Sequence, residues 1–97
     1  MIVIGIPAYN EEKTIAGIIL KLQKTVDKVI VCNDGSSDLT GDIAERLGAI
    51  VINHPKNLGY GAGIRSIFLK AKELDADILV TFDADGQHRI EDIKSVI

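Results

Sequence analysis

Two carboxylates, Asp83 and Asp85, flank a single small residue, Ala84, at the end of an apolar run, and Gly86, Gln87 and His88 follow. Carboxylate oxygens are hard ligands, suited to Mg²⁺ or Mn²⁺. An ion held there could bridge a diphosphate and neutralise charge as a leaving group departs. Asp and Gly are also ordinary turn residues, so Asp83-Ala84-Asp85 by itself reads more readily as a solvated turn. A calcium-loop reading fails on spacing. Counted from Asp83, His88 stands where that loop needs glycine and Lys94 where it needs a carboxylate.

Three further polar clusters carry candidate chemistry. In Asn33-Asp34-Gly35-Ser36-Ser37-Asp38, Gly35 permits a tight turn and either serine can cap a following helix. Asp34 is less simply explained by a turn, and is well placed to accept a hydrogen bond from a nucleobase edge. In Pro7-Ala8-Tyr9-Asn10-Glu11-Glu12, Asn10 reads as a helix cap with both glutamates in the first turn. Tyr9 offers an aromatic face to a base. Asn57-Leu58-Gly59-Tyr60-Gly61-Ala62-Gly63 is not a dinucleotide fingerprint, because Ile64 stands where the third glycine belongs. It remains a glycine-rich approach to a helix, with Arg65 in the first turns and within reach of a phosphate. Function and simple turn chemistry both stay open for these loops. His54 reads as a loop residue, and neither it nor His88 has the spacing or the cysteine partners of a zinc site.

The elements that must position these clusters follow from apolar patterning. Residues 2–6, 29–32, 49–52 and 78–82 form near-continuous runs rich in β-branched side chains, as in strands buried on both faces of a parallel sheet. Between them, Ile15, Ile18, Ile19 and Leu22 repeat at helical spacing, as do Ile43, Ala44 and Leu47, closed by Gly48. Ile64, Ile67, Phe68 and Ala71 make a third stripe. Ile90, Ile93 and Ile97 predict a fourth helix starting near Arg89. The order β-α-β-α-β-α-β-α predicts a Rossmann-like three-layer α/β/α fold with a parallel sheet. Ligands in such folds bind at the carboxyl ends of the strands. All four polar clusters fall there.

Size and composition narrow the function. Ninety-seven residues make one small domain, and 46% hydrophobic content with 4% aromatic implies an aliphatic core. A formal net charge of −3 argues against a nucleic-acid partner. Cys32 is the sole cysteine, which rules out an intrachain disulfide, and its apolar surroundings predict a buried, inert thiol. No basic leader precedes Ile2, and no apolar run approaches the ~20 residues that span a bilayer. A cytoplasmic location is expected, compatible with work at the cytoplasmic membrane surface.

Taken together, the four clusters resemble the N-terminal half of a family-two glycosyltransferase of the GT-A fold, most like the dolichol- or polyprenyl-phosphate sugar transferases. The resemblance rests on Ile6 with residues 7–12, on residues 33–38, on Asn57-Leu58-Gly59-Tyr60-Gly61 with Arg65, and on residues 83–88. It implies that Pro7, Ala8, Tyr9 and Glu11 contact base and ribose, and that Asp34 reads the base. Asp83 and Ala84 would lie near ribose and donor sugar, with Asp85, Asp83 and Gln87 holding Mg²⁺ or Mn²⁺ on the diphosphate. The implied reaction moves a sugar from a UDP- or GDP-sugar to a lipid-phosphate or saccharide acceptor, with inversion. Asn33, Ile67 and Arg89-Ile90 depart from residues common in the family, without removing a proposed ligand. The family's general base lies further downstream, so residues 1–97 are expected to be a single truncated nucleotide-sugar-binding domain. An exposed sheet edge would then invite association between copies. A non-catalytic nucleotide or nucleotide-sugar binding module is the alternative. A sugar nucleotidyltransferase would need a basic glycine-rich loop after the first strand, and a receiver-like domain would need paired acids there. Neither is present.

Overall fold

The computed structural model describes residues 1–83 and the strand at 88–92. The elements are β1 (Ile2–Ala8), α1 (Ile15–Leu22), β2 (Lys28–Asp34), α2 (Thr40–Arg46), β3 (Ile50–His54), α3 (Tyr60–Glu73), β4 (Ile78–Phe82) and β5 (His88–Asp92). Strand order is β3-β2-β1-β4-β5, parallel throughout except for β5, which runs antiparallel to β4.

Alternation along the central strands explains why their sequences are continuously apolar. Ile4, Ile6, Ala8, Val29 and Val31 pack with Ile15, Ile19 and Leu22 of α1 and Ala44 of α2. The intervening Val3, Ile30 and Cys32, joined by Leu79 of β4, pack with Ile67 and Ala71 of α3 on the other face. Each fully buried aliphatic side chain contributes roughly 1.5–3 kcal/mol. Gly5 belongs to the α3 face, where an added Cβ would sit 2.2 Å from Ile67 Cγ2. The helix therefore rests directly on the β1 backbone. Gly48 follows α2 with φ of 90°, the stop expected from its position.

One expected element differs. The fourth helix starting near Arg89 is not formed over residues 88–92, which pair as a strand, His88 opposite Phe82 and Asp92 opposite Ile78. A connection as short as residues 83–87 suffices for an antiparallel return, whereas a parallel one needs a crossover of a dozen residues or more. The helical period also depended on Ile93 and Ile97, which lie outside the described residues.

Candidate nucleotide-binding site

Parallel pairing brings the polar strand ends together. Ala8 lies opposite Asn33, and Asp34 opposite His54, so the first three loops leave the sheet side by side. Loops one and two are then joined by reciprocal hydrogen bonds. Asn10 takes a left-handed conformation (φ 53°) that asparagine tolerates. Its N–H donates to Ser36 Oγ at 2.9 Å, and its Oδ1 accepts the Ser37 N–H at 2.9 Å. Glu12 Oε2 accepts the Leu39 N–H at 3.0 Å, while the Glu12 N–H donates to Asp38 Oδ2 at 3.2 Å. The fully buried Thr40 hydroxyl accepts the Glu11 N–H at 2.8 Å and itself donates to Asp38. Asn10 and the serines are thus not the helix caps that their types suggest: α1 begins at Ile15 and α2 at Thr40. Their polar atoms hold two loops against each other instead.

Asp34 anchors the third loop. Its Oδ1 accepts the Leu58 N–H at 2.8 Å and its Oδ2 the Gly59 N–H at 3.0 Å. Oδ1 also meets His54 Nδ1 at 2.8 Å. Burial pulls the Asp34 carboxyl upward, but the bonds from Leu58, His54 and Gly59 outweigh it and hold the group below the ordinary carboxylate range. Asp38 behaves alike, with partial desolvation outweighed by bonds from the Thr40 hydroxyl and amide and the Glu12 amide. Cys32 is buried as expected, and burial together with the Asp34 charge pushes its thiol up to about 11. It stays neutral and unreactive.

Gly35 completes the junction. Its φ is 73°, and a Cβ there would lie 2.3 Å from the Lys56 carbonyl carbon, so at this point the backbones of loops two and three meet directly. On the far side of loop three, the Tyr60 hydroxyl donates to Asp83 Oδ1 at 2.8 Å.

These loops enclose a cleft of about 440 Å³ at the carboxyl ends of the parallel strands, lined by Pro7, Ala8, Tyr9, Glu11, Asp34, Asn57, Gly59, Tyr60 and Asp83. That volume suits a small organic ligand. Pro7, Ala8, Tyr9, Glu11, Asp34 and Asp83, scattered over the sequence, share this one cleft. Tyr9 lines the cleft and is 48% exposed. Arg65 instead lines a neighbouring groove with Ile64 and Phe68, beyond Tyr60. Ala84, Asp85 and Gln87 lie outside the described residues.

The fit to a divalent cation can be judged from the lining. Among the described residues of the lining, Glu11, Asp34 and Asp83 are carboxylates and none is lysine or arginine. An anionic diphosphate is repelled by such a surface unless a cation stands between them. Asp83, at the cleft edge, supplies a hard oxygen donor of the required kind. Asp83 is thus one compatible donor for Mg²⁺ or Mn²⁺, and among the described residues no group of three or more His, Cys, Asp or Glu side chains is placed to hold a metal ion.

Three contributors were not anticipated: Thr40, His54 and Ser66. His54 ends β3 rather than standing in a loop, and its side chain is only 9% exposed. The run Ile50-Val51-Ile52-Asn53-His54 could have been extended to it by matching polar strand ends, Asn33 with Asn53 and Asp34 with His54. Thr40 and Ser66 carry no comparable signal, because a hydroxyl on a helix has no preferred partner in sequence.

Comparison with known proteins decides the family. The model for "Glycosyl transferase family 2" matches residues 3–97. The chain belongs to glycosyl transferase family 2. Within it, the UDP-N-acetylglucosamine–dolichyl-phosphate N-acetylglucosaminyltransferase of Methanococcus voltae is 41% identical over 100% of this chain and 46% of its own length. The dolichyl-phosphate hexose transferase of Haloferax volcanii is 34% identical over 86% of this chain and 36% of its own. Glucosyl-3-phosphoglycerate synthase from Mycobacterium tuberculosis, solved with Mn²⁺, UDP and glucosyl-3-phosphoglycerate, superposes with a TM-score of 0.69 at 29% identity. That match covers 87% of this chain and 33% of the synthase. The same synthase has been solved with Mg²⁺ and UDP, at a TM-score of 0.73 and 29% identity, with 87% and 33% of the two chains covered. The α/β sheet of this family-two member is that of GT-A glycosyltransferases. The chain spans less than half the length of these relatives.

Proposed function

We propose that this chain is the donor-binding region of a glycosyltransferase that moves a sugar from a UDP- or GDP-sugar to an acceptor, polyprenyl phosphate in the first instance, with inversion and with a divalent metal. The observation that carries this reading is the meeting of Pro7, Ala8, Tyr9, Glu11, Asp34 and Asp83 in one acidic cleft at the carboxyl ends of the strands. The names of the Methanococcus and Haloferax relatives support the polyprenyl-phosphate acceptor.

In this reading Tyr9 stacks on the base and Pro7 and Ala8 form its floor, while Glu11 holds the ribose. Asp34, kept ionised, only accepts hydrogen bonds. His54, Leu58 and Gly59 use part of its capacity, and what remains on Oδ2 is offered to a ring N–H. Uracil and guanine carry such a donor in the ring, whereas neutral cytosine and adenine do not. Asp83 lies by the ribose and donor sugar. Asp85, with Asp83 and Gln87, would hold Mg²⁺ or Mn²⁺, which neutralises the diphosphate as it leaves.

The test is titration of the protein with UDP, GDP and their sugars, with and without Mn²⁺, in wild type and Asp85→Ala. Metal-dependent binding lost in the variant is expected. A folded protein that binds no nucleotide would refute the reading. A binding module without turnover is the second reading, favoured because the three described carboxylates of the cleft all serve the donor side. Hydrolysis or transfer assays with UDP-sugar and a polyprenyl phosphate separate the two.

A further inference from the structure

His54 has no place in the cleft lining, yet it is buried and bonded at both ring nitrogens. Nδ1 lies 2.8 Å from Asp34 Oδ1, and Nε2 lies 2.8 Å from Ser66 Oγ of α3. Cys32 Sγ packs 3.5 Å from Nε2. Because Asp34 is an ionised acceptor, Nδ1 carries a hydrogen, and with Nε2 unprotonated that nitrogen accepts from the Ser66 hydroxyl. The connectivity is that of a Ser-His-Asp relay, but its setting is not catalytic. Ser66 sits in the interior of α3, whose amides are committed to the helix, and neither Ser66 nor His54 lines the cleft.

We infer that His54 is a positioning residue, which as the neutral Nδ1–H tautomer fixes the Asp34 carboxylate so that it grips the Leu58 and Gly59 amides and presents its remaining acceptor to the nucleotide base. The chain of contacts runs from α3 through Ser66 and His54 to Asp34, and from there into the loop that walls the cleft. A carboxylate held by backbone donors alone can rotate about its own side-chain bonds. A third donor, itself locked against a helix, removes that freedom, as supporting shells do around other functional side chains. The consequence for binding rests on the reading of Asp34 as a nucleotide contact. The consequence for the loop does not.

The experiment uses ¹⁵N-labelled protein without ligand, in wild type, His54→Asn, His54→Gln and Ser66→Ala. An asparagine amide nitrogen falls near the place of Nδ1, and a glutamine amide nitrogen near that of Nε2. Imidazole ¹⁵N shifts should show the Nδ1–H tautomer. Hydrogen exchange at the Leu58 and Gly59 amides should accelerate about tenfold in His54→Gln and clearly less in His54→Asn. UDP or GDP affinity should fall in the same order, and in a transfer assay the loss should lie in the donor KM, with kcat retained. An Nε2–H tautomer would overturn the inference. So would exchange and affinity in His54→Gln within twofold of wild type. If wild type binds no nucleotide, the proposed function fails, and the exchange rates still decide the role of His54. Should His54→Gln not fold, Ser66→Ala carries the comparison, with faster exchange at Leu58 and Gly59 expected and unchanged exchange counting against the role.

Discussion

Asp34 concentrates three tasks in one carboxylate: it joins β2 to the end of β3, holds two amides of the third loop, and faces the cleft. Its folded pKa lies below its ordinary value, so its stabilising contribution is present above the unfolded pKa of about 3.9 and is lost as pH falls through the folded one. Asp34→Asn should therefore be less stable than wild type at pH 7, with the difference shrinking as pH falls below about 4. Urea unfolding at pH 7 and pH 3 measures both. A difference independent of pH would show that packing, and not ionisation, makes the residue matter.

At the scale of elements, the contact between β1 and α3 is governed by a missing side chain. Gly5→Ala places a methyl carbon against Ile67, and such overpacking costs roughly 1–3 kcal/mol. Denaturant melts should show that loss, and the cost of Gly5→Ala should shrink in an Ile67→Ala background, which lacks the Cγ2 that the added carbon would meet. Purely additive effects would show that the two residues do not meet. The loops behave as a unit for a related reason. Asn10, Glu12, Ser36 and Asp38 spend their polar atoms on one another, so loop one and loop two are a single rigid wall of the cleft.

For the molecule as a whole, an acidic cleft predicts strict coupling between metal and nucleotide. A ligand at 100 times its Kd stabilises the folded state by about 2.7 kcal/mol. Thermal melts with UDP or GDP and Mn²⁺ should shift upward accordingly, and the shift should vanish with EDTA. An equal shift without metal would mean that the nucleotide needs no cation to offset the acidic cleft. Among the described residues no helix is long and apolar enough to cross a membrane.

The layers, the parallel sense of the first four strands and the gathering of polar clusters at one sheet edge are legible in the chain alone, whereas the strand order β3-β2-β1-β4 is not. The legible features follow from local rules: apolar period sets strand or helix, and alternation of the two sets the crossover. The sequence also singled out Pro7, Tyr9, Glu11, Asp34 and Asp83. Tertiary structure alone decided what those residues touch. Asn10 and the serines look like caps in sequence because capping is the nearest use for their oxygens, yet a neighbouring loop offered donors just as close. The antiparallel β5 was hidden because a single isoleucine among charges satisfies either period. His54 was misplaced in a loop because its partners, Asp34 and Ser66, are 20 and 12 residues away along the chain. No local pattern encodes a buried pair of that kind, since it exists only once β2, β3 and α3 have packed.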